Sequence, residues 1–193
     1  MSAVSARFVL GCSQLGGLYR PMTDDEARET LDAAWEAGVR HFDTAPHYGA
    51  GSSERRVGEF LRTKPREQFV VTTKVGRLLV PTDDDVEGVD GFFGGGQYHR
   101  VLDYTADGVR RSVEESLDRL GLDRVDGLYV HDADDHLDQA VAEALPALVE
   151  LRRQGVVSHV GAEMNSVGPM KRIVTETDAD QVMLAGRYTL LDR

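Results

Sequence analysis

Residues 69–77 read Phe69-Val70-Val71-Thr72-Thr73-Lys74-Val75-Gly76-Arg77. The segment 69–73 is rich in β-branched side chains, which favour a pleated, packed strand, and a lysine stands directly after it. Working outward from this strand, the chain alternates between strand and helix. Upstream, Phe8-Val9-Leu10 is a short apolar run ending at Gly11. Thr23-Asp24-Asp25-Glu26 reads as a capping box, with Thr23 as N-cap and Glu26 reaching back to it. The helix it opens carries Ala27, Leu31, Ala34 and Trp35 at helical spacing and closes at Gly38. A second strand is expected over 39–43. A helix over 53–62 follows, with Val57, Phe60 and Leu61 on one face.

Downstream, residues 76–104 read as a long irregular stretch containing Asp83-Asp84-Asp85 and Gly94-Gly95-Gly96. A connection of this length is uncommon in a compact domain and is usually functional or mobile. Next comes a helix with the core stripe Val109, Val113, Leu117 and Leu120, ended by Gly121. A strand over 125–130, a helix ending in Leu148, Leu151 and Gly155, a strand over 156–161, a short helix over 169–177 and a strand over 181–185 complete the pattern. Six strands alternating with five helices indicate an α/β fold with a parallel sheet and crossover helices. A barrel and an open doubly wound sheet both fit. No Gly-x-Gly-x-x-Gly follows the first strand, which counts against a Rossmann dinucleotide fold. Nothing divides the chain, so 1–193 is read as one domain.

The chain has 193 residues, 41% hydrophobic and 28% charged, with a formal net charge of −11. That composition is ordinary for a globular protein. The acidity and the lack of a basic stripe argue against a nucleic-acid partner. No apolar run reaches membrane-spanning length. Cys12 is the only cysteine, which rules out an internal disulfide and fits a reducing compartment. It is read as a small buried residue. Residues 1–7 carry no secretory pattern, so the expectation is a cytoplasmic protein. No metal site is expected.

Four polar residues fall at or just beyond strand ends. Asp43 closes the second strand, Tyr48 lies in the loop after it, Lys74 follows the third and His131 follows the fourth. In a parallel barrel the C-terminal strand ends open onto one catalytic face. A free tyrosine, with a pKa of about 10, is a poor acid–base group near neutrality. A lysine ammonium beside it favours the phenolate, and a carboxylate beside the lysine keeps that lysine charged. A histidine can orient the same reacting oxygen. Such a set would protonate a carbonyl oxygen as hydride arrives at carbon, or take the alcohol proton in reverse. Singly, Asp43 also reads as a loop cap, Tyr48 as a packed aromatic, Lys74 as a solvated charge and His131 as a satisfied core histidine. Their joint placement at three successive strand ends favours the functional reading.

The motifs Phe42-Asp43-Thr44-Ala45-Pro46-His47-Tyr48-Gly49, Thr73-Lys74-Val75 and Val130-His131 resemble, in order and context, the tetrad of the aldo-keto reductases. Supporting stretches are Leu15-Gly16-Gly17-Leu18-Tyr19, Ser53-Glu54-Arg55-Arg56, Lys74-Val75-Gly76-Arg77, Leu117-Asp118-Arg119-Leu120-Gly121 and Ala185-Gly186-Arg187-Tyr188-Thr189-Leu190-Leu191-Asp192. The resemblance runs from Phe8 to Asp192 and is nearest to the bacterial aldose dehydrogenase branch, with its L-fucose, D-threo-aldose and pyridoxal 4-dehydrogenases. It implies a TIM (β/α)8 barrel and hydride transfer between NAD or NADP and a small carbonyl or sugar substrate, with Tyr48 as general acid and base. It also implies that Asn165 and Gln181, at the ends of strands five and six, hold the nicotinamide carboxamide. The family usually shows a glycine just before Met-Asn, where this sequence has Glu163, a carboxylate that would disturb cofactor approach. Phe92 and Phe93 either wall the substrate pocket or pack the long loop.

A TIM barrel has eight strands in typically ~250 residues, and only about six are legible here. The expectation is therefore a domain incomplete at its C-terminus, without the segments that grip the cofactor's phosphates. Two rival functions remain. A Schiff-base aldolase or lyase would use Lys74 as nucleophile, which requires a depressed lysine pKa. A non-catalytic binding module is the other, since fold does not fix function. The sequence sets no oligomeric state.

Overall fold

The computed structural model describes residues 8–187. Six parallel strands form one sheet: β1 (Val9–Gly11), β2 (His41–Asp43), β3 (Val70–Val75), β6 (Gly127–His131), β7 (His159–Met164) and β8 (Gln181–Leu184). Each pairs only with its neighbours in chain order. A doubly wound sheet reverses its strand order at a switch point. This sheet has no reversal, so it forms the curled arc of a (β/α)8 barrel. Between β3 and β6 lies a separate antiparallel hairpin, β4 (Arg77–Pro81) with β5 (Tyr98–Leu102). The stretch 76–104 is therefore not irregular throughout. The two arms of the hairpin are distant in sequence, with the aspartate and glycine runs between them.

The helices are α1 (Asp24–Glu36), α2 (Ser52–Leu61), α3 (Ala106–Leu120), α4 (Leu137–Gln139), α5 (Leu145–Arg153) and α6 (Val167–Glu176). A π-helical stretch, Ala140–Ala144, joins α4 to α5, just ahead of Pro146, which lacks the N–H a regular helix would use there. The Thr23–Glu26 capping box forms as the sequence predicts: the Thr23 hydroxyl accepts from Glu26 N–H and the Glu26 carboxylate accepts from Thr23 N–H. The fifth strand of the sheet starts later than its apolar run suggests. Ser158 and His159 both donate their N–H groups to Asp126 O, and pairing with β6 begins only at His159.

Register fixes which residues share a face. Phe42, Val71, Leu128, Val130, Val160, Ala162 and Met164 point outward and are buried beneath the helices, with Leu31, Phe60, Leu120, Leu148 and Ile173. Burial of each such side chain contributes about 1.5–3 kcal/mol. The main core thus lies between sheet and helices. The inner face carries His41, Asp43, Thr72, Lys74, Tyr129, His131 and Glu163, a polar lining. Behind the sheet, Glu54 of α2 is fully buried; it accepts from Thr73 Oγ1 at 2.6 Å and from Arg119 Nε of α3 at 2.6 Å. This network ties β3, α2 and α3 together behind Lys74. Cys12 is buried as expected, and burial holds its thiol well above the ordinary value.

Candidate active site

Asp43 is the last residue of β2 and is clamped by its neighbours. Its carbonyl accepts from Cys12 N–H, and the next N–H, that of Thr44, donates to Thr72 O. Its carboxylate accepts from Thr72 Oγ1 at 2.7 Å and from Lys74 Nζ at 2.5 Å. Lys74 also donates to Thr44 O at 3.0 Å. Its Nζ lies 4.7 Å from the centroid of the Tyr48 ring. Burial works against the Lys74 charge, yet attraction to Asp43 and Tyr48 and its hydrogen bonds hold its pKa above the ordinary lysine value.

Tyr48 is placed by a tight turn. The Tyr48 carbonyl accepts from Ser53 N–H at the start of α2. Gly16 and Gly49 make the approach possible. A Cβ on Gly16 would lie 2.5 Å from Tyr48 C, and Gly49 adopts φ +61°, where its missing side chain would meet Gly16 O. Burial raises the Tyr48 phenol above its ordinary pKa, while Lys74 pulls it down. Lys74 thus favours the phenolate as expected, but burial is the larger effect, and Tyr48 stands protonated.

His131 closes β6, and Tyr104 fixes the turn that follows by donating its hydroxyl to the carbonyls of His131 and Asp132 at 2.7 and 3.1 Å. The His131 and Tyr48 rings meet edge to face at 5.7 Å. Burial and the nearby Lys74 hold His131 well below the ordinary histidine pKa, so the ring is neutral. The four tetrad residues therefore converge on one pocket.

Other residues complete it. His47 lies 5.6 Å from His131, ring to ring, and burial, with Arg77 and Arg100 nearby, lowers its pKa to about 3. Phe92 is buried, stacks on Tyr48 and meets His47 edge on; it both walls the pocket and packs the loop. The hairpin supplies Arg77, which donates to Asp132 at 3.0 Å, and Arg100, which donates to His47 O at 3.2 Å. Glu163 of β7 faces His131, Oε2 to Nε2 3.3 Å. Burial and Asp132 push its pKa up to about 7. Sequence flagged Glu163 and Phe92; His47 was legible inside the Tyr48 motif and Arg77 inside Lys74-Val75-Gly76-Arg77, whereas Arg100 and Asp132 were given no role by sequence.

Asn165 stands exposed just beyond β7, its Nδ2 donating to Asp132 Oδ1 at 2.7 Å. Gln181 lies on the inner face, level with Lys74 and Tyr129 in the register. It is the first residue of β8, not its end, and its side chain accepts from Tyr129 OH at 2.8 Å. His131, Asp132 and Glu163 bring three ligating atoms within 4.8 Å of one another. Arg77 and Asn165 already engage Asp132, and the trio reads as a buried polar cluster. Among the described residues no helix is long and apolar enough to cross a membrane.

The sequence profile described as "Aldo/keto reductase family" matches residues 7–193. The chain is 49% identical over 194 residues to a D-threo-aldose 1-dehydrogenase of Pseudomonas sp, covering 95% of this chain and 57% of that protein. It is 39% identical over 203 residues to a pyridoxal 4-dehydrogenase of Microbacterium luteolum, covering 95% and 59%. It thus spans less than two thirds of these relatives' length. Among solved structures, a protein assigned to the aldo-keto reductases from Pseudomonas aeruginosa aligns with a TM-score of 0.73 at 33% identity, over 96% of this chain and 64% of that one. With the tetrad converging in a six-stranded arc, the chain belongs to the aldo/keto reductase family.

Proposed function

We propose that this chain carries the proton-transfer half of an NAD- or NADP-dependent oxidoreductase acting on an aldose or a related small hydroxy or carbonyl compound. The observation that supports it best is Lys74, fully buried between the Asp43 carboxylate and the Tyr48 ring. Tyr48 is the general acid when a carbonyl is reduced and the base when an alcohol is oxidised. Its raised pKa suits the first role; Lys74 stabilises the phenolate that the second requires. Asp43 keeps Lys74 charged and in place. His131 orients the reacting oxygen. A bound nicotinamide would supply or accept the hydride, and Asn165 and Gln181 would hold its carboxamide. Both D-threo-aldose 1-dehydrogenase and pyridoxal 4-dehydrogenase, by their names, oxidise small polar molecules, which supports the substrate class.

The Schiff-base alternative is disfavoured, because such a lysine must lose its proton and the pKa of Lys74 is raised. Assay with a panel of aldoses, following reduced nicotinamide by absorbance, tests the proposal, with borohydride trapping in parallel. Nucleotide reduction without trapped adduct is the expected result. A Lys74 adduct without nucleotide reduction would replace this reading with the lyase.

A further inference from the structure

Asp132 follows His131 at the end of β6 and adopts φ +45°. Residues other than glycine seldom take this left-handed backbone, and such strain persists where the surroundings over-determine it. Four groups hold Asp132 in place. Its N–H donates to Glu163 O at 2.9 Å. Its carbonyl accepts from Tyr104 OH at 3.1 Å. Its carboxylate accepts from Arg77 of the hairpin at Oδ2, 3.0 Å, and from Asn165 at Oδ1, 2.7 Å. The Glu163 side chain is a further hydrogen-bond partner of that carboxylate.

This arrangement fixes how Asn165 is turned. An ionised carboxylate has no proton to give, so the Asn165 side chain must present its NH2 to Asp132. Its own oxygen, Oδ1, makes no hydrogen bond among the described residues. Gln181 is turned the opposite way. Its Oε1 accepts from Tyr129 OH at 2.8 Å, and its NH2 makes no hydrogen bond among the described residues. The pair thus offers one acceptor and one donor. A primary carboxamide carries the complementary set, an NH2 that donates and a carbonyl oxygen that accepts.

We propose that Asp132 is a positioning residue for cofactor recognition: by accepting from the Asn165 NH2 it keeps the Asn165 oxygen for the ligand, so that the site reads a carboxamide and rejects a carboxylate in its place. The role rests on the reading of the pocket given above; the orientation of Asn165 does not. A ligand carboxylate would set oxygen against the Asn165 oxygen and give it no proton, which is the mismatch that a hydrogen-bonding site penalises. Arg77 holds the other oxygen of Asp132, so the hairpin takes part in this selection without touching Asn165.

Two variants test the role. Asp132→Gly suits the positive φ and removes the carboxylate; Asp132→Asn keeps an oxygen that can accept from Asn165. In the protein without nucleotide, NMR of the Asn165 side-chain amide, assigned by its loss in Asn165→Ala, should show one proton shifted and protected from exchange with water. Asp132→Gly should abolish that protection and Asp132→Asn keep most of it. Fluorescence titration then compares NAD or NADP, whichever binds, with the nicotinic acid analogue in which a carboxylate replaces the carboxamide. The preference for the carboxamide should fall about tenfold in Asp132→Gly, the effect of one lost hydrogen bond, and recover in Asp132→Asn. A general loosening of the fold would weaken both ligands alike and leave their ratio unchanged. Should Asp132→Gly not fold by circular dichroism, Asp132→Ala takes its place. An unprotected Asn165 amide in the unaltered protein, or nucleotide binding with the ratio unchanged in the folded variant, overturns this role alone. Failure of the unaltered protein to bind either nucleotide would sink the proposed function and this role with it.

Discussion

Lys74 and Asp43 form a buried ion pair, Nζ to Oδ2 2.5 Å, with side chains 0% and 5% exposed. Asp43→Ala leaves the ammonium without its counter-charge. The expected cost is about 3–5 kcal/mol, as for other broken buried pairs, measured by urea denaturation. The folded pKa of Lys74 is raised, so its stabilisation is fully present below the unfolded lysine value of about 10.4 and is lost as pH rises through the folded value. The stability deficit of Asp43→Ala should therefore hold steady through neutral pH and shrink only in strong alkali.

Glu54 and Arg119 behave similarly behind the sheet. Arg119→Leu strands a fully buried carboxylate with Thr73 as its remaining partner. The loss expected is again about 3–5 kcal/mol. Adding Glu54→Leu to Arg119→Leu should recover part of it, because the unpaired charge is then gone. A double-mutant cycle in denaturant measures the coupling; strict additivity would refute the pairing.

Glu163 predicts a pH dependence of opposite sense from that of an ordinary surface carboxylate. Its folded pKa of about 7 lies above the ordinary glutamate value of 4.5, so the folded state holds the proton more tightly. The stabilisation is present at low pH and is lost as pH rises from about 4.5 to about 7. One proton accounts for a slope of at most about 1.4 kcal/mol per pH unit. Stability curves of Glu163→Gln and the unaltered protein should differ in slope across that window and run parallel above it.

Much of this arrangement was legible in the sequence because it is local. The Thr23–Glu26 cap, the stripe on α3 and the tetrad residues at strand ends each depend on near neighbours. The hairpin was not, because Arg77–Pro81 finds Tyr98–Leu102 across a long insertion with no short-turn signature. With it went the placing of Arg77 and Arg100, which the hairpin alone carries to the pocket. The start of β7 was misplaced because Val156 and Val157 look like strand, while the Asp126 carbonyl holds the chain out of register until His159. Gln181 was expected at a strand end; register places it at the strand start, on the inner face beside Tyr129. The pull of Lys74 on the Tyr48 phenol was legible; the larger, opposing effect of burial was not, because sequence does not quantify it.

Tyr48 is the residue proposed to move the proton. Tyr48→Phe removes one oxygen and leaves the ring that packs on Phe92 and meets His131. The measurement is kcat for nucleotide-linked aldose oxidation, alongside nucleotide affinity by fluorescence. A fall in kcat of about 10²–10⁴-fold, as for other lost acid–base groups, with nucleotide affinity unchanged, is the predicted result; turnover retained in Tyr48→Phe would contradict it.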